Sequence, residues 1–190
     1  MRNDDALELA SPDSAGQFLI VGDSDGAVAL TRDDLVKYAG PSQIVAATVV
    51  FRLFEKAFAD LSPRRPPHRD TIDVLVAFPG DGILDCVEMV TRARTRERLT
   101  IDTVAGPAEA PPSIIGRFYF EIGLPSGRRG YWLAPGYFDD VFLDLVRKHQ
   151  DGRGSGEERA LYLRSKQELI GRLMGASRDE LFNVQTLGTS

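Results

Sequence analysis

Apolar and polar positions change period several times along the chain, and each change marks an element. Val74-Leu75-Val76-Ala77-Phe78 is a short apolar, partly β-branched run, stopped by Pro79-Gly80-Asp81-Gly82, residues that fix or free φ. From Gly82 the period becomes helical. Ile83, Cys86, Val87 and Val90 fall at i, i+3, i+4 and i+7 on one face, while Asp81, Asp85, Glu88 and Arg92 lie on another. Leu99-Thr100-Ile101-Asp102-Thr103-Val104 predicts a return strand. Thr71 to Val104 is therefore expected to be one strand–turn–helix–strand unit around which the rest of the chain is organised.

Upstream, residues 1–16 read as a loose arm, and Gln17–Val21 and Ala27–Leu30 flank a Gly/Asp-rich turn, predicting a hairpin. Thr31-Arg32-Asp33-Asp34 resembles a capping box and opens a short helix to Tyr38, which Gly40-Pro41 breaks. Ser42 is expected to cap a long helix to Leu61 with two apolar stripes, one carrying Phe51, Phe54 and Phe58 and the other Val45, Val49 and Leu53. Such a helix is either central or shared with another subunit.

Downstream of the unit, Arg117–Ile122 and Gly130–Ala134 predict an aromatic-rich hairpin across Pro125-Ser126-Gly127. Tyr137–His149 reads as a helix with Phe138, Val141, Phe142 and Leu145 inward, and Gln150–Gly156 as a linker. Glu157–Met174 reads as a helix with Leu161, Leu169, Ile170 and Leu173 apolar. Ser177-Arg178-Asp179-Glu180 is a full capping box opening a final turn through Leu181-Phe182. The expected class is α+β, a mixed, largely antiparallel sheet packed against a long central helix. Residues 1–149 would form the core domain and 150–190 a linker and helical carboxyl-terminal appendage.

Composition narrows the function more than the fold. Across 190 residues, 43% are hydrophobic and 27% charged, as in an ordinary globular protein. The net charge of −5 argues against a nucleic-acid footprint, since Arg64-Arg65 and Arg92–Arg98 are the densest basic stretches. The first ten residues carry no apolar h-region, and the longest uncharged apolar stretch, Ile44–Phe51, falls far short of the roughly 20 residues a membrane span needs. A cytoplasmic protein without membrane contact is expected. One cysteine and two histidines allow neither an intramolecular disulfide nor a four-ligand zinc cluster, so no metal and no cofactor is expected.

Four groups merit a chemical reading. Cys86 lies on the apolar face of its helix, which favours core packing over a reactive thiol. Asp81, Asp85 and Glu88 share another face; together they suit a hard cation or, with Tyr38 as proton donor or ligand contact, an acid–base pocket. The bland reading is solvated charge, with Glu88 paired to Arg92 four residues on. His68 and His149 read as an exposed loop residue and a helix-end cation. Finally, the turn at Pro79–Gly82 is the best local candidate for a small-molecule site, because free N–H groups at a helix start favour an anionic ligand. Phosphate-loop and dinucleotide fingerprints are absent.

Several strings resemble the family of the E-type subunits of formylmethanofuran dehydrogenase. Asp85-Cys86-Val87-Glu88, followed by Val90-Thr91 and Leu99-Thr100-Ile101, is similar to the family's strand–turn–helix–strand unit, and Asp179-Glu180-Leu181-Phe182-Asn183-Val184 is similar to its closing segment. The family's His-x-His-x-Cys-Pro-Gly motif is replaced here by Val36-Lys37-Tyr38-Ala39-Gly40-Pro41-Ser42, Gly82 stands where its second cysteine would be, and its zinc ribbon is missing. The resemblance thus implies a metal-free, non-catalytic accessory or small-molecule-binding protein linked to one-carbon or pterin metabolism. It would act as a homodimer or a dimer with a related subunit, and Asp85 is the polar residue carried over. The alternative is a small-molecule enzyme using a carboxylate pocket at Asp81, Asp85 and Glu88.

Overall fold

In the computed structural model, which describes residues 18–150 and 152–188, hairpins and helices alternate. The expected arm at residues 1–16 lies outside the described residues. Strands β1 (Leu19–Asp23) and β2 (Gly26–Leu30) pair antiparallel as a separate two-stranded hairpin. Helix α1 (Arg32–Ala39) opens on a complete capping box. The Asp34 N–H donates to Thr31 Oγ1 at 3.1 Å, and the Thr31 N–H donates back to the Asp34 carboxylate at 2.9 Å.

The central helix α2 (Ile44–Leu61) starts later than its sequence suggests. Pro41 fixes the φ of a 3-10 turn over Pro41–Gln43, which draws Ser42 inside that turn; the cap position falls to Gln43, and no side chain caps the helix. Ser42 is therefore not the cap. Along α2 both apolar stripes are buried from Ala47 onward, and α1, α3 (Asp81–Thr91), α5 (Gly156–Gly175) and β1 pack around it. Of the two readings of a helix apolar on two sides, the described residues account for it as central within one chain.

Five strands form the main sheet in the order β4 (Leu99–Ile101), β3 (Asp73–Val76), β5 (Tyr119–Leu124), β6 (Gly127–Leu133) and β7 (Phe182–Leu187). Strands β3 and β4, joined through α3, run parallel, and the other neighbours are antiparallel. The class is thus mixed α+β. Register places Val76, Phe120, Tyr131 and Val184 in one row across the sheet, and the first three of them are fully buried. No helix of the described residues is long and apolar enough to cross a membrane.

The carboxyl-terminal segment departs most from expectation. The Ser177 capping box opens only one turn, α6 (Arg178–Leu181), and the chain then continues as β7 rather than stopping at a helical turn. Its alternation explains this: Phe182 and Val184 turn toward the core and Asn183 and Gln185 toward solvent, so the segment completes the sheet. Inward positions also shift on the two preceding helices. On α4 (Asp140–Gln150) Phe142, Leu143 and Leu145 are buried while Val141 is 66% exposed, and on α5 Leu161 is exposed while Lys166 is buried.

A row of charges on α2 holds this segment. The Arg52 guanidinium donates to Glu55 at 2.6 Å and to the Ala176 carbonyl at 2.5 Å, and Lys56 bridges Asp60 at 2.7 Å and Asp179 at 2.9 Å. Asp60 also meets Arg129 of β6 at 3.4 Å. Because β7 pairs with β6 at Tyr131 and Leu133, and Ala176 and Asp179 before it meet these charges, truncation after Gly175 is expected to abolish cooperative unfolding. Thermal denaturation followed by circular dichroism checks this, and a truncated chain that melts like the full one would contradict it.

Candidate functional site

Strand β3 ends at Val76, and the chain crosses Phe78-Pro79-Gly80 before entering α3. Gly80 is the cap residue, again without a side-chain cap bond, and Asp81 is the acidic residue of the first turn. Gly82 brings this helix start against that of α2, since a Cβ there would lie 2.8 Å from the Gln43 Cβ. The starts of α2 and α3 are thereby side by side.

Between them and the α4–α5 hairpin lies a cavity of about 300 Å³, at the small end of ligand sites, which run roughly 300–1,000 Å³. Its walls are mainly apolar. Val45, Ala46 and Val49 come from α2, Ile83 from α3, and Ile114 and Phe118 from the loop before β5. An aromatic chain runs along it: Phe78 packs edge-on to Phe118 at 5.0 Å, Phe118 stacks on Phe138 at 4.2 Å, and Phe138 meets Phe142 at 5.7 Å. Phe142 leads to Tyr162 at 6.1 Å, and Tyr162 to His149 at 4.6 Å.

Few polar groups reach the cavity, and one of them is buried and charged. Lys166 on α5 is 8% exposed, donates to the Ser42 carbonyl at 2.7 Å, and lies 5.3 Å over the Tyr162 ring. Desolvation holds its pKa below the ordinary lysine value. Asp81 and His149 line the same space from exposed positions.

The residues singled out from sequence are dispersed by the fold. Asp81 lines the cavity; Asp85, half-buried on α3, does not, and neither does Tyr38, which is about half exposed at the end of α1. Glu88 departs furthest from its surface reading. It is buried, and its carboxylate accepts from the Arg94 N–H at 2.8 Å, from the Thr95 N–H at 3.3 Å and from the Thr95 hydroxyl, rather than pairing with Arg92. Arg92 takes a left-handed conformation at the helix end, so the chain doubles back over Glu88. Among the described residues, no three His, Cys, Asp or Glu side chains gather as metal ligands.

Cys86 is fully buried, 3.9 Å from the Leu35 carbonyl, with its thiol pushed up to about 12 by desolvation and then by Asp85. Sequence reasoning missed Lys166, although Tyr162, Lys166, Leu169 and Leu173 at i, i+4, i+7 and i+11 form the inward stripe of α5, and a lone lysine within it was the available signal. His149 likewise reaches the site rather than only ending a helix.

The sequence matches no protein-family model, and no curated protein matches it.

Two outcomes follow from these placements. Cys86 should stay unlabelled by Ellman's reagent at pH 8 in the native protein and react fully in denaturant, because thiolate forms only as pH rises through the raised pKa. Labelling at the native state's full stoichiometry within seconds would contradict its burial. Glu88→Ala should cost roughly 1–3 kcal/mol in urea unfolding, through the loop N–H groups left unpaired, and a loss below about 0.5 kcal/mol would show the carboxylate to be an ordinary surface charge.

Proposed function

We propose that this chain is a non-catalytic small-molecule-binding protein, with its ligand held in the apolar cavity between the starts of α2 and α3 and the α4–α5 hairpin. The observation that carries the reading is the cavity itself. It borders the turn at Gly80–Gly82, its walls are largely aromatic and aliphatic, and a minority of the lining residues are polar. Ligand sites combine an apolar enclosure with a small number of placed polar groups in this way.

A binding role fits the rest of the arrangement better than acid–base catalysis. Catalysis needs a proton donor and acceptor converging on one substrate atom. Of the three carboxylates on α3, Glu88 is committed to its own loop and Asp81 alone borders the cavity. With the resemblance to the E-type subunits of formylmethanofuran dehydrogenase, the proposal extends to an accessory role in one-carbon or pterin-linked metabolism.

A neutral apolar dye, N-phenyl-1-naphthylamine, tests the site directly. Its fluorescence should rise saturably on the native protein, and Ala46→Trp, which fills the cavity from a half-buried position, should weaken binding by about tenfold or more. No saturable signal, or equal affinity in the variant, would remove the cavity as a binding site.

A further inference from the structure

Lys166 is a buried ammonium short of partners. One of its three N–H donors goes to the Ser42 carbonyl, the Tyr162 ring lies beneath it, and no carboxylate of the described residues stands within ion-pair distance. Removing an ammonium from water without a counter-ion is costly. The same place gathers further positive potential. Two helix starts meet there, each without a side-chain cap, and the first turn of α2 holds no acidic residue. Asp81, exposed in the first turn of α3, is the single carboxylate bordering the cavity, and His149 is the other titratable group near Tyr162 and Lys166.

We propose that the cavity takes an amphiphilic monoanion, an apolar ring-sized body lying along the aromatic chain with one carboxylate bonded to Lys166 Nζ beside the starts of α2 and α3. The inference rests on the reading of the cavity as a ligand site and adds the ligand's chemical class. A volume of about 300 Å³ suits a small ring system and not a long acyl chain. The carboxylate accepts from the two remaining Lys166 donors and supplies the missing counter-charge, a charge-assisted contact in a largely desolvated setting. The aromatic faces of Phe118, Phe138 and Phe142 meet the apolar body. Since desolvation favours the neutral amine, anion preference is present while Lys166 is protonated and fades as pH rises through its lowered pKa.

Calorimetric titration of the full chain with 1-naphthylacetate and with its neutral analogue 2-(1-naphthyl)ethanol tests this at low ionic strength. The anion should bind about tenfold tighter than the alcohol or better. Lys166→Met and Lys166→Gln should bring the anion down to the alcohol's affinity and leave the alcohol within about twofold of native, which also reports that the cavity is intact. Lys166→Arg should retain the preference. Equal binding of the two probes to the native protein, or a preference that survives Lys166→Met, would overturn the assignment while the cavity stands as a neutral site. Failure of both probes to bind would remove the cavity reading itself.

Discussion

A central helix buried over most of its circumference sets the terms for this fold. Of the 18 residues of α2, 11 are buried, and they spread well beyond one face, so neighbours must cover most of the helix. The hairpin β1–β2, helices α1, α3 and α5, and the sheet supply that cover from segments widely spaced in sequence. Enclosure then decides what happens to polar groups on α2. Arg52 and Lys56 cannot be left facing apolar neighbours, because burying a charge without a partner costs several kcal/mol. Glu55 and Asp60 on α2 itself supply part of the pairing, and the Ala176 carbonyl and Asp179 add the rest, which ties the segment after α5 across α2. Tyr131 belongs to the same group: burial first, and then Asp60, hold its phenol protonated well above the usual range.

Much of this was legible in local pattern. The β1–β2 hairpin, the α3 face with Cys86 inward, the aromatic hairpin and two capping boxes follow from periodicity and turn chemistry, which act over a few residues. What escaped was decided by a second local signal that competed with the first. Ser42 looked like a cap because it precedes an apolar run, but Pro41 had already set a 3-10 turn around it. Glu88 looked like half of a surface pair because Arg92 lies four residues on; the left-handed turn at Arg92 instead folds Arg94 and Thr95 back over the carboxylate. Strand β7 was concealed differently. Phe182-Asn183-Val184-Gln185 alternates plainly, yet a capping box just before it draws the eye to a helix that lasts one turn.

The candidate site shows the same division. Its floor, the turn at Pro79–Gly82, could be found from sequence because a strand stop and a helix start coincide there. Its far wall could not. Lys166 is more than eighty residues from that turn, and α5 carries enough exposed apolar side chains, Leu161 and Leu163 among them, to obscure which stripe faces inward. A lysine on an inward stripe reads as an irregularity until its acceptor, the Ser42 carbonyl, is known. The carboxylates failed as a set for the converse reason: sharing one helix face brings side chains near each other without giving them a common cavity.

Protein interiors are ordinarily close-packed, so a cavity bounded by so many apolar side chains calls for a physical cause. Here the cause lies in small residues where two helices begin. Gly80 and Gly82 carry no side chain, and Ala46 carries only a methyl group; a Cβ at Gly80 would press on Phe78 at 3.3 Å, and one at Gly82 would displace Gln43. A side chain at either glycine would therefore have to displace a neighbour. On the other side Lys148 of α4 ties to Glu158 of α5 at 2.9 Å, and the hairpin reaches the core through the aromatic chain and Lys166. These contacts join the two walls across the cavity. A ligand between them would gain the dispersion contacts the walls now lack, and would tie the hairpin to the central helix. Occupancy and stability are then coupled, because a molecule bound only by the native state shifts the folding equilibrium toward it.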